Sequence, residues 1–381
     1  MKQHPVPQDP AAFYDIKKYH EILSPDYPDF LDRYLDLPSL KRLAGVGLLC
    51  GTDWTKLYNN RFYYSRLDHS LGVALIIWHF TRSKAQTLSG LFHDISTPVF
   101  SHVSDFRKGD ALTQTATEQD TQSLLHNDSQ LQALLAEDGL TVTEIDDYHR
   151  YPVADNEIPR LSADRLEYMF PSGMALDGSW DLEAIKHAYQ DITVLKNEDG
   201  LDELGFKTLE IAQDYCLRFC MIGHILQLNE NKLTLHMLGQ IMNMAVEQGV
   251  LQEEDFMNKS EREIMDKLEH IAALREPQGP HGIGQGPQIQ LTRLYRTFRT
   301  MTKIEHTNHA LPTDEYFCVS LNVKQRYIDP LVIVPTKGPF DRLRDRTSQT
   351  SRLSQISPFA HKIIEDFKAY SDTAYGCVKL I

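Results

Sequence analysis

The sequence predicts a mainly α-helical protein that ends in a smaller mixed α+β portion. Two observations favour this fold class. Apolar residues recur at helical spacing over long stretches, for example at Leu71, Leu75 and Trp78, and residues 212–226 are apolar on nearly every side, as in a buried helix. Runs that favour strands occur near the C-terminal end, at residues 316–334.

The predicted elements divide the chain into four regions. Residues 1–38, with prolines among acidic and aromatic residues, favour an extended N-terminal arm. Residues 39–175 form a helical core. Residues 176–288 form a helical extension that ends in a glycine- and proline-rich loop, which lacks the G-K-[ST] sequence of a phosphate loop. Residues 289–381 form the mixed portion, where we expect a helix, two strands paired with each other and a last helix at residues 360–369.

Three predicted helices of the core carry the residues that point to chemistry. One follows His69, and a second is ended by Pro98, because proline cannot continue a helix, so that its last turn holds a His-Asp doublet. A third begins at Ser162, a suitable N-cap, with a carboxylate in its first turn. A further helix is predicted at residues 119–135. Together the three helices supply two imidazoles and two carboxylates: His69, His93, Asp94 and Asp164.

This set of four side chains predicts a site for one divalent metal ion. Imidazole suits first-row transition metals and carboxylate suits harder ions, so the identity stays open among Fe, Mn, Zn, Ni and Mg. An ion held by such a set with open positions polarises a phosphoryl oxygen and lowers the pKa of a coordinated water.

The composition excludes several other classes of protein. The chain has 381 residues, 41% hydrophobic and 24% charged, which allows a sizeable core. A net charge of -14 argues against an extended nucleic-acid surface. No apolar run approaches the roughly 20 residues that span a bilayer, and the first residues lack the apolar segment of a signal peptide. We therefore expect a cytoplasmic protein without a membrane partner. Cys216 and Cys220 are expected to be buried thiols.

Three motifs in order resemble the HD superfamily of metal-dependent phosphohydrolases, which is named for its His-Asp doublet. They are R66-L-D-H69-S-L-G-V, H93-D94-I-S-T-P-V-F-S-H102-V-S-D105 and D164-R165-L-E-Y168. The deoxynucleoside triphosphate triphosphohydrolase (dNTPase or dGTPase-like) branch is the most similar. The resemblance is clear over residues 40–170 and weaker beyond, so that it covers about half of the chain.

The resemblance implies a role for each matching position. His69, His93, Asp94 and Asp164 would bind one divalent metal ion. The substrate would be a nucleotide, a deoxynucleotide or another phosphorylated small molecule, and the protein would form homo-oligomers. The resemblance assigns contacts with the substrate phosphates to Arg66, Arg165 and Tyr168, and Arg165 replaces the lysine that is common in this branch.

The chain departs from the branch at the residues that handle protons. The branch has H-D-x-x-H-x-P-F-S-H after the doublet, whereas this chain has Thr97 at the second histidine. A downstream H-E pair has Thr117 in place of its histidine but keeps Glu118. Because threonine cannot shuttle a proton near neutral pH, either the chemistry differs or another residue takes that role. We expect Glu118 or Asp105 to do so; His102 is a further candidate, although its position favours a structural role.

Other polar residues have plainer interpretations. The surroundings of His126 and His149 do not match the motifs of two-metal relatives, which favours solvated histidines and a single-metal site. Asp53, Trp54 and Tyr58 favour packing over a base pocket. One basic cluster alternates with acidic residues and so favours a salt-bridged surface over a nucleotide site; its members are Arg342, Arg344, Arg346, Arg352 and Lys337.

Three functions are compatible with these residues. The sequence favours a metal-dependent phosphohydrolase whose reaction is altered where Thr97 and Thr117 replace histidines. The alternative is a nucleotide or phosphometabolite sensor that binds without turnover. A third function, oxygen activation by two irons, needs more ligands than the motifs supply.

Overall fold

The structure, a computed structural model, describes residues 13, 15–112, 120–274, 287–334 and 349–381. It is mainly helical, which confirms the predicted fold class. The α-helices are α1 (Ile16–Leu23), α2 (Leu31–Leu35), α3 (Pro38–Lys41), α4 (Arg66–Thr81), α5 (Lys84–Phe92), α6 (Val103–Arg107), α7 (Thr121–Asn127), α8 (Ser129–Glu137), α9 (Ala163–Leu176), α10 (Leu182–Asp191), α11 (Leu209–Gln227), α12 (Asn229–Glu247), α13 (Asp255–Asn258), α14 (Glu261–Leu274), α15 (Pro287–Thr300), α16 (Leu353–Ile356) and α17 (Pro358–Ala369). Short 3₁₀ helices span Arg42–Gly45, Thr52–Trp54, Val142–Glu144 and Tyr148–Arg150.

Two small sheets complete the fold. Their strands are β1 (Ile192–Lys196), β2 (Asp202–Phe206), β3 (Glu305–Thr307), β4 (Tyr316–Val319), β5 (Leu331–Val334), β6 (Gln349–Arg352) and β7 (Tyr375–Lys379). One sheet has the order β1-β2-β5-β6, in which the β2–β5 pair is parallel, and the other has the order β3-β7-β4. The β1–β2 hairpin lies inside the region that the sequence assigns to a helical extension.

The predicted pairing of the two C-terminal strand runs is wrong. Strand β4 pairs with β7, whereas β5 pairs with β2 and β6 in the other sheet. A hairpin needs a tight turn between its strands, and residues 320–330 instead cross to a cavity wall that contains Lys324 and Arg326. The short run Tyr375–Lys379, which has no marked strand signal in the sequence, supplies the partner for β4.

The single helix predicted at residues 119–135 is two helices, α7 and α8. Asp128 separates them, because its carboxylate Oδ1 accepts hydrogen bonds from the N–H groups of Gln130 and Leu131, each at 3.0 Å. An aspartate that caps a new helix in this way competes with continuation of the previous one. The first two residues of the predicted range lie at the edge of, or outside, the described residues.

Helix α4 lies at the centre of the hydrophobic core. Ser65 caps it: the Ser65 Oγ accepts a hydrogen bond from the Asp68 N–H at 3.1 Å, and the Asp68 carboxylate accepts one from the Ser65 N–H at 3.3 Å. Residues 73–77 have no exposed surface at all. The helix is therefore enclosed on all sides, and it packs against α1, α5 and α9.

Two glycines allow the helices around the site to approach closely. A Cβ atom at Gly72 of α4 would lie 2.5 Å from Oε1 of Glu167 on α9, and one at Gly90 of α5 would lie 2.3 Å from Cδ1 of Ile77 on α4. Both distances are far inside van der Waals contact, so a larger residue would separate the helices. Glycine at these two positions therefore fixes the spacing of α4, α5 and α9.

The cysteines fall into two groups. Cys216 and Cys220 are buried free thiols, as the sequence predicts. Cys318 and Cys377 face each other across β4 and β7 and form a disulfide. None of the described helices is long and apolar enough to cross a membrane.

Candidate metal centre

Three helix ends bring the four predicted ligands together. His69 lies in the first turn of α4, close to the Ser65 cap. His93 is the residue after the last turn of α5, and Asp94 follows it. Asp164 is the second residue of α9, whose N-cap Ser162 accepts a hydrogen bond from the Arg165 N–H at 3.3 Å. The predicted cap at Ser162 is thus present, and the doublet lies just beyond its helix rather than in the last turn.

The donor atoms of the four side chains lie close enough to share one ion. The Nε2 of His69 is 3.2 Å from the Oδ1 of Asp164 and 3.7 Å from the Oδ2 of Asp94. The Nε2 of His93 is 3.8 Å and 3.5 Å from the same two oxygens. Ligand bonds of about 2.0–2.2 Å place neighbouring donor atoms roughly 3–3.6 Å apart. The spacing and the two-imidazole, two-carboxylate chemistry therefore fit a divalent metal ion, and His69, His93 and Asp94 form a buried group of donors.

Each imidazole is oriented by a hydrogen bond on its other nitrogen. The Nδ1 of His93 lies 2.7 Å from the carbonyl oxygen of Gly90, to which it must donate. The Nδ1 of His69 lies 2.5 Å from the Oε2 of Glu167. A proton on Nδ1 leaves the Nε2 lone pair of a neutral ring for a metal ion, which is the arrangement that protein metal sites commonly use.

Glu167 is a candidate positioning residue that the sequence interpretation missed. It has no exposed surface, and its Oε1 accepts hydrogen bonds from the hydroxyls of Tyr19 at 2.9 Å and Tyr64 at 2.6 Å. A signal for it was present, because Glu167 follows Asp164 by three residues and so shares its face of the helix. The Glu167 carboxylate contacts the Nδ1 of His69 and does not join the four candidate metal ligands.

Opposite charges around the centre shift the pKa values of its residues. Burial raises the pKa of the Asp94 carboxyl, but the Arg66 guanidinium and the two imidazoles outweigh burial and hold it well below its usual range. Burial lowers the pKa of His69, but Glu167 and Asp164 outweigh burial and raise that pKa to about 10. The His69 ring is therefore protonated on both nitrogens near neutral pH, and a metal ion that binds its Nε2 must displace the proton there.

Thr97 bonds to a ligand of the predicted ion. This threonine is fully buried, and its hydroxyl donates a hydrogen bond to the Oδ1 of Asp94 at 2.7 Å. Arg66 holds the other oxygen, with its Nη1 2.8 Å from the Oδ2 of Asp94, and its Nε donates to the Ser101 hydroxyl at 3.0 Å. Thr97 thus contacts a carboxylate at the position where the branch that the sequence resembles has a histidine.

The quartet lines a cavity of about 670 Å³. Three aromatic hydroxyl residues also line it, Tyr58, Tyr148 and Tyr168. The hydroxyls of Tyr58 and Tyr168 are buried and have no hydrogen-bond partner among the described residues. Five basic side chains in the wall, beside four carboxylates, offer N–H donors of the kind that a phosphorylated ligand accepts; they are Arg66, Arg160, Arg165, Lys324 and Arg326.

The predicted substrate contacts lie in this cavity, and Arg165 is tightly held there. Its Nε donates to the carbonyl oxygen of Arg160 at 2.9 Å, and its Nη2 bonds to the backbone and side-chain oxygens of Asn156. The same Nη2 lies 3.2 Å from Asp155. Arg165 is therefore oriented by its neighbours before any ligand binds.

Of the predicted proton-handling residues, His102 and Asp105 form a pair. The Nδ1 of His102 lies 2.9 Å from the Oδ2 of Asp105, which is fully buried. His102 lines the cavity, and its Nε2 lies 3.5 Å from the Nη2 of Arg326. Burial lowers the pKa of His102. Glu118 and Thr117 lie outside the described residues.

The two remaining histidines differ in position. His126 lies 2.8 Å from Asp146 and is not part of the cavity wall, whereas His149 lines the cavity with its Nδ1 2.9 Å from the Oδ2 of Asp155. The ring of Tyr148 lies between His149 and His93, with ring centres 4.3 Å and 5.2 Å away. His149 thus lies near the candidate metal centre, and 53% of its side chain is exposed to solvent.

Trp54, Arg352 and Arg326 come from other parts of the chain. Trp54 donates a hydrogen bond to the buried Glu261 at 2.7 Å, so that it belongs to the core. Arg352 forms hydrogen-bonded ion pairs with Glu198 and Glu203, and the rest of its predicted cluster lies outside the described residues. The position of Arg326 in the cavity could not be predicted from the sequence, because only tertiary structure brings residues 320–330 there.

Comparisons with known proteins support the fold. No protein-family model matches the chain. A curated relative, the uncharacterized protein YdhJ of Bacillus subtilis (strain 168), is 29% identical over 113 residues. That alignment spans 29% of this chain and 34% of YdhJ, so the chain matches about a third of the relative's length.

Two solved structures share the fold over nearly the whole chain. A phosphohydrolase from Bacteroides thetaiotaomicron VPI-5482 aligns with 93% of this chain and 96% of its own, at a TM-score of 0.59 and 12% identity. A hypothetical protein from Aquifex aeolicus aligns with 93% of each chain, at a TM-score of 0.58 and 13% identity. At such identities the likeness concerns the fold, which is that of a protein named a phosphohydrolase.

Proposed function

We propose that this protein is a metal-dependent phosphohydrolase of the HD type, which acts on a nucleotide or deoxynucleotide phosphate through a single-metal site. One observation carries the proposal: the donor atoms of His69, His93, Asp94 and Asp164 converge at the wall of a cavity that also contains five basic side chains. The shared fold with a protein named a phosphohydrolase supports it.

The basic residues would bind and orient the phosphate groups. A bound ion would polarise a phosphoryl oxygen and lower the pKa of a water. Arg66 uses its Nε and Nη1 on Ser101 and Asp94, which leaves N–H donors for a phosphate oxygen. Arg326 would contact the substrate beside His102, and the Tyr168 hydroxyl, which lacks a partner among the described residues, would donate to the ligand.

His102 and Asp105 would handle the proton. Asp105 is the positioning residue, because its carboxylate holds the Nδ1 side of the ring. The lowered pKa of His102 keeps the ring neutral near pH 7, as a proton acceptor needs. Phosphate charges brought close by binding would raise that pKa again and allow the ring to give a proton to the leaving group.

A sensor that binds nucleotide without turnover is the second candidate. The observation that favours it is Thr97, whose hydroxyl is committed to Asp94 at the position where the related branch has a proton-handling histidine. Such a protein would keep the ion and the basic cavity, and would lack the fast chemical step.

One experiment separates the two functions. The metal content of the purified protein is measured first, and phosphate release is then screened over dNTPs, NTPs, monophosphates and cyclic nucleotides with several divalent metals. The test variant is His93→Ala with Asp94→Ala, and the matched control is the surface pair His126→Ala with Asp146→Ala, which removes another histidine–aspartate pair outside the cavity.

The outcomes are distinct. A phosphohydrolase releases phosphate from at least one nucleotide class, and both metal and turnover disappear in the doublet variant but remain in the control. Full activity in a metal-free doublet variant would overturn the proposal. Nucleotide binding in the micromolar range without turnover under every metal would establish the sensor instead.

A further inference from the structure

A second cavity, of about 390 Å³, adjoins the cavity that is lined by the four candidate metal ligands. The two share Gln227, Val323 and Lys324 in their walls. The second cavity contains none of the metal quartet, and its wall is mostly polar: Lys232, Lys324, Asn322, Gln325 and Ser371 contribute ammonium, amide and hydroxyl groups. With Leu112, Val323 and Tyr370 as its apolar residues, it offers little surface for a nucleoside base.

Lys232 is the informative residue of this cavity. It lies in the first turn of α12, is only 7% exposed, and forms no hydrogen bond or ion pair through its ammonium with any described side chain. A buried cation without a partner loses hydration and is costly. Burial accordingly lowers the pKa of Lys232, against the influence of Asp372.

The carboxylate of Asp372, which lies in the same wall, is engaged elsewhere. Its Oδ2 accepts a hydrogen bond from the Asn229 N–H at 2.7 Å, and its Oδ1 accepts one from the Thr373 N–H at 2.6 Å. The Oδ1 also lies 3.2 Å from the Nδ1 of His306. These contacts hold the carboxylate at the start of α12, so that Asp372 acts on Lys232 through space and forms no hydrogen bond or ion pair with its ammonium.

We propose that this second cavity binds inorganic phosphate or pyrophosphate, with Lys232 as the principal charged contact. Lys324, the amides and the Ser371 hydroxyl supply further donors of the kind that phosphate oxygens accept. The site is separate from the metal quartet and does not depend on the reaction proposed above. Because Val323 and Lys324 belong to both walls, its occupant would contact the segment that also carries Arg326 into the larger cavity.

Calorimetric titration of the full chain with pyrophosphate, and separately with inorganic phosphate, tests the proposal. Lys232→Met removes the charge but keeps the side-chain length. Ser371→Asp adds a carboxylate to the wall at an exposed position, where the fold tolerates it. Lys362→Met is the matched control, because this lysine is 74% exposed on α17 and lies outside both cavities.

The expected result is that both Lys232→Met and Ser371→Asp weaken one class of pyrophosphate sites by about tenfold or more, while Lys362→Met binds like the wild type. The same class must persist in the His93→Ala, Asp94→Ala protein, which separates this site from the metal centre. Unchanged affinity and stoichiometry in Lys232→Met, or loss of all pyrophosphate binding in the doublet variant, would overturn the proposal. Thermal unfolding of each variant checks that the fold is retained.

Discussion

Replacing Glu167 with glutamine tests whether this buried carboxylate sets the metal affinity of the centre. In the wild type, one oxygen of Glu167 lies 2.5 Å from the Nδ1 of His69, and the other accepts hydrogen bonds from Tyr19 and Tyr64. Glutamine keeps the volume but removes the negative charge, and it has one accepting oxygen for these partners. His69 therefore loses the charged acceptor that keeps its proton on Nδ1.

The magnitude follows from two opposing effects. A hydrogen bond to a charged group contributes about 1.5–3 kcal/mol, which at about 1.4 kcal/mol per tenfold corresponds to a loss of roughly 10–100-fold in metal affinity, as is typical of partners of metal-bound histidines. Glu167 also raises the pKa of His69 to about 10, so its removal weakens competition by the proton. At neutral pH we therefore expect the lower end, about tenfold.

The assay is competition with a chromogenic chelator for Zn²⁺ or Mn²⁺. Glu203→Gln is the matched control, because Glu203 is equally buried and bonds to Arg352 rather than to a ligand of the ion. The control is expected to lose stability but to keep the wild-type dissociation constant for the metal. Wild-type affinity in Glu167→Gln, or an equal loss in both variants, would refute the reasoning.

Three further perturbations address other parts of the site. His102→Ala should keep the metal and lower kcat by about 10²–10⁴-fold, as for loss of a general acid or base; metal analysis with steady-state kinetics measures both. Thr97→Val removes one hydrogen bond to the charged Asp94 carboxylate, about 1.5–3 kcal/mol, so chelator competition should report metal binding weaker by about tenfold or more. Burial raises the pKa of Asp53 from its usual value to about 7, despite a hydrogen bond from Asn60. The native state therefore loses stability as the pH rises through 7 and Asp53 gives up its proton. Urea unfolding should find Asp53→Asn more stable than the wild type above pH 7. The difference in free energy of unfolding should approach about 4 kcal/mol at high pH and vanish below about pH 4.

The parts of the fold that the sequence predicts are those encoded locally. The cap at Ser162 and the apolar spacing after His69 depend on residues a few positions apart, and the structure has helices there. The pairing of β4 with β7 joins residues about 60 positions apart. The sequence around Tyr375–Lys379 contains no local pattern that predicts this pairing. Long-range strand pairing is decided by packing, which a single sequence does not display.

The same division holds for the candidate site. The four metal-binding candidates come from three short motifs, so their types and order are readable. The structure groups His69, His93 and Asp94 closely enough to hold one ion, with Asp164 3.2 Å from His69. Glu167 and Arg326 act through contacts across 98 and 224 positions, with His69 and His102 respectively. Their roles depend on the close approach of α4 to α9 and on the course of residues 320–330, which only the folded chain specifies.

The question that the sequence raised about proton transfer now concerns two histidines. Among the described residues, His102 and His149 are the histidines that line the cavity apart from the metal pair. His102 is partly buried between Asp105 and Arg326, with 22% of its side chain exposed. Because the arginine can only donate, the Nε2 of His102 faces a donor as a neutral acceptor would. His149, with 53% of its side chain exposed, has ready exchange with solvent and contacts Asp155. A base that must be neutral at the start of the reaction and protonated after it is better served by His102 with Asp105, because incoming phosphate charge changes the pKa of a more desolvated ring more than that of a solvated one.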